Sequence, residues 1–385
     1  VIAPAGAAPI RVLLVDDSAV VRGVFGRIVD AQPDMKVVTT APNGRMALAA
    51  LGHVPVDVVV LDVEMPEMDG LSALTEIVAR FPAVRVLMAS TLTARGAEVT
   101  MKALALGAAD FVQKPLAAKG ATALGDLERD LVGKIRGLAR GASSVRPIAT
   151  APRPAASAMP AATAARQTPR GSKVFAPRPE EIIPTSVLGK AGDPPRLLAV
   201  AASTGGPNAL AAFLGGLPKD FPLPTLIVQH MPPLFTSLLA QRLARDTNRP
   251  CVEAVDGLRI EGGTTYVAPG DHHMLVATAD GVPYIRLTSD PPENFCRPAA
   301  DPMFRTAAAA FGPTLVAVVL TGMGEDGCAG IADVVRRGGH VAVQDESTSV
   351  VWGMPGAVAN AGLAHAVLPL PDLARHVAGH CLAAR

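Results

Sequence analysis

The sequence predicts an α/β protein with two parallel-sheet domains, and three observations predict it. Short apolar runs alternate with helical segments over 10–140. A stretch rich in Ala, Pro, Ser and Thr breaks that alternation over 144–194. The alternation resumes at Arg196. Strands alternating with helices imply a parallel sheet with right-handed crossovers. A chain of 385 residues is long for one core, which agrees with two.

In the first domain, 10–142, strands are expected near 11–15, 36–40, 56–61, 84–89 and 110–112. Helices are expected near 19–31, 44–51, 71–80, 97–106 and 126–139. Together they make a five-stranded doubly wound domain. The segment 143–194 reads as an extended linker: it lacks sustained periodicity, and the charged residues from 131 to 179 are all basic. Such a segment cannot bury enough apolar surface to offset its ordering entropy. In the second domain, 195–385, strands are expected near 196–200, 225–228, 314–320 and 340–344. Helices are expected near 209–214, 234–244, 301–311 and 331–337. Turns such as Glu261-Gly262-Gly263 and Ala279-Asp280-Gly281 suggest a β-hairpin insert within 252–290.

Composition excludes several functions. Aromatics are 3% of the chain and the net charge is +1, which disfavours a base-stacking surface or a field that attracts nucleic acid. No recognition-helix pattern is visible in 196–385. Four scattered cysteines without a CxxC fit reduced thiols. No signal peptide and no apolar run of about 18 residues stand out, so a cytoplasmic protein without membrane insertion is expected.

The first chemical signal lies at the strand ends. The run 11–15 ends in Asp16-Asp17, 56–61 ends in Asp62, 84–89 ends in Ser90, and 110–113 ends in Lys114-Pro115. In an open parallel sheet these ends share one crevice. Three crowded carboxylates repel one another unless a cation neutralises them, and Mg²⁺ suits such oxygen ligands. A carboxylate can also attack a phosphoryl donor. Ser90 would offer its hydroxyl to the phosphate, and Lys114 its charge. The peptide before Pro115 is a candidate cis bond. The simpler reading is that strand-end residues cap helices, as Ser18 could. The ordered set within five α/β units outweighs it.

With those residues in place, 10–140 resembles the receiver domain of two-component response regulators. The resemblance implies Asp62 as phospho-acceptor, Asp16, Asp17, Asp62 and the Glu64 backbone carbonyl around Mg²⁺, Ser90 as switch hydroxyl and Lys114 as phosphate partner.

The second signal is Ala201-Ala202-Ser203-Thr204-Gly205-Gly206-Pro207, a strand end, a small-residue turn and a helix start. Ser203 there would be exposed near a positive helix terminus, with backbone N–H groups able to hold an oxyanion. The strand 225–228 ends in Gln229-His230-Met231, placing a candidate base nearby. The strand 314–320 ends in Thr321-Gly322-Met323-Gly324-Glu325-Asp326-Gly327, where Asp326 could orient that imidazole. Spacing alone leaves His272, His273 and Asp345 as rivals. The G-x-S-x-G elbow of α/β-hydrolases is absent, since residue 201 is Ala. A nucleotide cradle at 203–207 would lack the P-loop lysine and the third fingerprint glycine. A non-catalytic docking scaffold is the other alternative.

The order receiver, linker, Ser-Thr-Gly-Gly-Pro, Gln-His-Met and Thr-Gly-Met-Gly-Glu-Asp-Gly resembles the chemotaxis protein-glutamate methylesterase (CheB) family. Val267-Ala268-Pro269-Gly270, Gln344-Asp345-Glu346 and Gly353-Met354-Pro355-Gly356 add to it. The resemblance implies a C-terminal α/β parallel-sheet methylesterase domain with Ser203 as nucleophile, His230 as base and Asp326 as orienting acid. Thr204, Met323 and Arg297 would bind substrate or its oxyanion. The implied reaction is demethylation of glutamate γ-methyl esters, with deamidation of glutamines, on methyl-accepting chemotaxis receptors. The implied phosphodonor is the chemotaxis histidine kinase, the implied setting is the receptor array, and the esterase step needs no cofactor. One departure is Arg297-Pro298-Ala299, where the family more often has serine after Arg-Pro.

Overall fold

The computed structural model describes residues 8–91, 93–114, 121–143 and 189–382. Most of the expected linker and the expected cis bond at Pro115 lie outside them. In chain order the N-terminal elements are β1 (Ile10–Val15), α1 (Ala19–Asp30), β2 (Met35–Ala41), α2 (Gly44–Leu51) and β3 (Val58–Asp62). They continue as α3 (Gly70–Arg80), β4 (Arg85–Ser90), α4 (Ala94–Ala105), β5 (Asp110–Gln113) and α5 (Ala121–Ser143). The five strands form one parallel sheet in the order β2-β1-β3-β4-β5. The strand order reverses beside β1, so the crevice between the ends of β1 and β3 is the switch point where ligands bind in such sheets.

The C-terminal elements are β6 (Leu197–Ala202), α6 (Gly206–Gly216), β7 (Thr225–Gln229), α7 (Phe235–Thr247), β8 (Cys251–Glu253) and β9 (Thr265–Val267). Then come β10 (His273–Ala279), β11 (Val282–Thr288), α8 (Ala300–Phe311), β12 (Leu315–Val319) and α9 (Cys328–Arg336). The last are β13 (His340–Gln344), α10 (Met354–Asn360), β14 (Ala366–Leu368) and α11 (Leu370–Leu382). Seven strands form a parallel sheet in the order β14-β13-β12-β6-β7-β9-β8, and β10 with β11 forms the antiparallel hairpin. Both domains are therefore α/β, as the alternation predicted.

The central strands β3, β6, β7 and β12 are buried along their whole length. Helices cover both faces of such a sheet, which is why these strands read as continuous apolar runs without alternation. Three strands escaped the sequence reading. β8, β9 and β14 have three residues each, too short for any period to show. The region 252–290 thus splits: its first part joins the parallel sheet and only 273–288 is hairpin.

The two halves meet along α4, β5 and α5. Phe111 of β5 stacks on Phe235 of α7, with ring centroids 4.4 Å apart and planes 7° from parallel. Asn208 Nδ2 of α6 donates to the Leu104 carbonyl of α4 at 2.7 Å. A Cβ on Gly133 of α5 would lie 2.8 Å from the Met323 thioether, and one on Gly137 would lie 3.1 Å from Val351. Helix α5 therefore lies against the turn that follows β12, and glycine there permits the close approach.

Candidate functional site

The N-terminal site forms at the switch point. Ser18 caps α1, its hydroxyl accepting from the Val21 N–H at 3.4 Å, while Asp16 Oδ1 accepts from the Ser18 N–H at 2.9 Å. One carboxylate oxygen from each of Asp16, Asp17 and Asp62 lies within 4.8 Å of the others. Gly70 fixes the turn after β3: a Cβ there would sit 2.0 Å from the Asp62 carbonyl. Lys114 Nζ reaches both Asp16 and Asp62 at 2.7 Å. Burial raises the pKa of Asp62 to about 6, with Asp16 repulsion adding to it and Lys114 opposing. Ser90 is buried, with its hydroxyl 3.3 Å from the Gly96 carbonyl and 2.7 Å from Thr100 Oγ1. In this conformation it is therefore turned toward α4. The Glu64 side chain is exposed and pairs with Arg95 at 3.5 Å; the sequence reading concerned its carbonyl.

The donor set fits the implied Mg²⁺. Three hard carboxylates converge, two of them buried and, among the described residues, paired with the single cation of Lys114.

The C-terminal site forms at the other switch point, where β6 lies between β12 and β7. Ser203 follows β6, and its N–H donates to the Thr321 carbonyl beyond β12 at 3.0 Å. Gly205 takes φ 79° to turn the chain into α6, and a Cβ there would meet Val350 at 2.6 Å. This explains the small-residue motif: the backbone must be left-handed and tightly packed at once. Gln229 Nε2 braces the turn by donating to the Ser203 carbonyl at 2.9 Å.

His230 and Asp326 meet. His230 Nε2 lies 2.7 Å from Asp326 Oδ2. Asp326 is 2% exposed and is held by three further donors: Ala300 N at 2.6 Å, Asp301 N at 3.3 Å and Asn294 Nδ2 at 2.9 Å. Two of those are first-turn amides of α8, so the helix terminus supports the buried charge. Burial opposes ionisation of Asp326, but His230, the Ala300 N–H and Asn294 outweigh it and hold its pKa below the usual carboxylate range. Burial also opposes a charged His230, but Cys296 and Asp326 outweigh it, and the ring's pKa is raised well above the ordinary value.

Cys296 Sγ lies 3.5 Å from His230 Nδ1, the nitrogen that Asp326 leaves over. Among the described residues no hydrogen bond joins the Ser203 hydroxyl to His230. Cys296 and Asn294 belong to one tight turn whose Phe295 ring lies under Arg129 of α5, the guanidinium 4.6 Å from the ring centroid. One loop thus touches the histidine, the aspartate and the N-terminal domain.

The rivals are engaged with other partners. His273 is buried as a clamp, with Nδ1 accepting from Ala299 N at 3.1 Å and Nε2 near the Pro291 carbonyl at 3.1 Å. His272 Nδ1 faces the Gly270 carbonyl at 3.3 Å. Asp345 closes its own turn, taking hydrogen bonds from Ser347 and Thr348. Arg297 is held by Asp271 at 3.0 Å and by the Ser289 and Asp290 carbonyls at 3.1 Å each. Thr204 Oγ1 is buried without a hydrogen-bond partner among the described residues, and its carbonyl accepts from Thr321. The sequence reading missed Asn294 and Cys296. No local signal marks them, since they act 32 and 66 residues away along the chain.

Fold and site together define a response regulator whose output is an α/β domain with a serine turn beside a His–Asp pair. The comparisons are specific. The response regulator receiver domain family matches residues 12–123, and the CheB methylesterase family matches 198–377. A protein-glutamate methylesterase/protein-glutamine glutaminase of Rhodospirillum centenum is 46% identical over 96% of this chain and 93% of its own length. One of Azospirillum brasilense is 44% identical over 97% and 93%. The solved catalytic domain of Thermotoga maritima CheB methylesterase is 38% identical, covering 48% of this chain and 97% of its own, with a TM-score of 0.47. The chain belongs to the CheB family of receiver-linked methylesterases.

Proposed function

We propose that this protein hydrolyses glutamate γ-methyl esters on methyl-accepting chemotaxis receptors, releasing methanol, and deamidates receptor glutamines by the same acyl chemistry. The pairing of half-buried His230 with buried Asp326, beside the Ser203 turn, is the observation that carries the chemistry. Relatives over nearly the whole chain bear the methylesterase/glutaminase name.

Ser203 Oγ attacks the ester carbonyl while His230 takes its proton. Asp326 holds Nε2, so Nδ1 is the basic nitrogen. Backbone N–H groups at Thr204 and Met323 are the candidate oxyanion donors, each worth about 3 kcal/mol at the transition state. The His230 imidazolium then gives that proton to the departing methoxide oxygen, which leaves as methanol, and water cleaves the acyl-enzyme. Arg297 shapes the groove wall through its hold on Asp271. Here Cys296 engages Nδ1, and among the described residues no hydrogen bond joins the Ser203 hydroxyl to His230, so Cys296 must yield Nδ1 for the serine to engage it.

Control comes from the receiver. Asp62 is the phospho-acceptor, with the histidine kinase of the receptor array as donor. Asp16, Asp17, Asp62 and the Glu64 carbonyl would hold Mg²⁺, which supplies charge neutralisation for phosphoryl transfer. A phosphate on Asp62 gives the Ser90 hydroxyl a stronger acceptor than the Gly96 carbonyl. That change reaches α4, whose Leu104 carbonyl holds Asn208 at the start of α6. Helix α6 follows directly from the Ser203 turn.

The test is methanol release from a methylated receptor, with and without a small phosphodonor and Mg²⁺. Wild type should release methanol, and phosphodonor should raise the rate. Ser203→Ala should lose at least about 10⁴ of the activity. Equal release from that variant would remove Ser203 from the mechanism, and a nucleotide that protects Ser203 from a phosphonate label would favour the nucleotide-cradle reading.

The raised pKa of His230 gives a second prediction. The base must be neutral, so activity should rise with pH through the His230 pKa, above the ordinary value of about 6.5. Cys296→Ala removes one group that favours the protonated ring. The acid limb of kcat/KM should then move to lower pH; an unmoved limb would show that the Cys296 contact has no bearing on the base.

A further inference from the structure

Four of the chain's eight histidines meet at the far end of the C-terminal sheet, away from Ser203. His340 opens β13, at the strand end opposite to the one that carries the catalytic turns. His365 precedes β14, and His376 and His380 lie four residues apart on α11. The His340 ring lies 4.0 Å from that of His380, 5.0 Å from His365 and 5.3 Å from His376, centroid to centroid. His340 Nε2 and His376 Nε2 are 3.0 Å apart.

We infer that His340, His376 and His380 form a binding site for a divalent first-row transition metal, with Ni²⁺ and Cu²⁺ ahead of Zn²⁺. Two nitrogens 3.0 Å apart can both lie about 2.0–2.1 Å from one ion, at an angle near about 95°. That angle suits tetragonal or octahedral Ni²⁺ and Cu²⁺ better than tetrahedral Zn²⁺. His380 is exposed one helical turn beyond His376, so a side-chain rotation brings a third imidazole to the ion. His365 belongs to the supporting shell, since its Nδ1 accepts from the Val341 N–H at 3.0 Å and so leaves the proton on Nε2.

The alternative occupant of the space between His340 and His376 is a proton in an imidazole–imidazole hydrogen bond. The surroundings favour the metal. Among the described residues neither ring has another side-chain hydrogen-bond partner, and no carboxylate pairs with either to stabilise an imidazolium. A metal takes each imidazole in its neutral form, with a lone pair on the ligating nitrogen. An ion here would tie the C-terminal helix to the sheet edge formed by β13 and β14.

The probe is Ni²⁺, which does not oxidise the four thiols. The untagged full-length chain is titrated by calorimetry in excess Mg²⁺, which fills the aspartate site. One equivalent should bind, and saturating Ni²⁺ should raise the apparent Tm of wild type. His340→Ala and His376→Ala should each weaken binding at least about tenfold and abolish the Tm shift. His376→Gln, which keeps size and polarity, should behave as His376→Ala does and guards against misfolding of that variant, as read by circular dichroism. Absence of binding at Ni²⁺ concentrations on the order of 100 µM would overturn the site, as would unchanged affinity in the folded variants. Methanol release is not part of the readout, so failure here leaves the esterase reading intact.

Discussion

Replacing Asp326 with asparagine is expected to lower kcat for ester hydrolysis by about 10⁴ with little change in KM. The reason is the donor count around the carboxylate. Oδ2 accepts from His230 Nε2 and Ala300 N, and Oδ1 accepts from Asn294 Nδ2 and Asp301 N. All four neighbours donate, so an amide NH₂ has no acceptor on either side. Turned toward Asn294, it sets donor against donor and leaves a buried polar group unsatisfied, at a cost of about 1–3 kcal/mol. Turned toward His230, it forces the ring into the other tautomer, with its proton on Nδ1. That tautomer cannot take the proton from Ser203. Loss of the buried charge also removes the stabilisation of the imidazolium that forms when it does. Steady-state kinetics on the variant, with circular dichroism to confirm folding, checks this. Activity within about tenfold of wild type would exclude Asp326 as the orienting acid.

Asp62→Asn is expected to abolish stimulation by a phosphodonor while basal activity persists. Asp62 stands 3% exposed, Lys114 bridges it to Asp16, and it belongs to the one carboxylate cluster found among the described residues. An amide is neither a nucleophile toward a phosphoryl group nor a charged ligand. The contacts that phosphorylation must loosen are the Phe111–Phe235 stack, the Asn208–Leu104 hydrogen bond and the seat of α5 on Met323 and Val351. Moving a closed population from 99:1 to 1:99 needs about 5.5 kcal/mol of differential stabilisation. One phosphate with a few new hydrogen bonds supplies less, so stimulation should be partial, and cutting the linker should release more activity than phosphodonor does. Methanol release from wild type, Asp62→Asn and the separated C-terminal domain measures all three. Strong stimulation surviving in Asp62→Asn would place the phosphate elsewhere.

Much of this protein could be read from local sequence, for a physical reason. Strands buried on both faces must be apolar throughout, so β3, β6, β7 and β12 announce themselves. In a parallel sheet their carboxyl ends converge, so a polar residue just after each run can be assigned to a site. Asp16, Asp17, Asp62, Ser90 and Lys114 were legible this way, and so were Ser203, His230 and the turn bearing Asp326. Tertiary structure alone decided which groups face one another. Asp326 and Asp345 both follow β-strands of the same sheet, and only packing against the amides of α8 gives the first a place beside His230. Asn294 and Cys296 reach the site through a loop whose course depends on the hairpin and on α8. The three-residue strands form only because longer neighbours template them. The four histidines are scattered over 340–380 and meet only when α11 folds onto β13. Element type follows from periodicity within a few residues, which the sequence carries. Which distant side chains touch follows from how the layers close, and that balance is struck only in the folded chain.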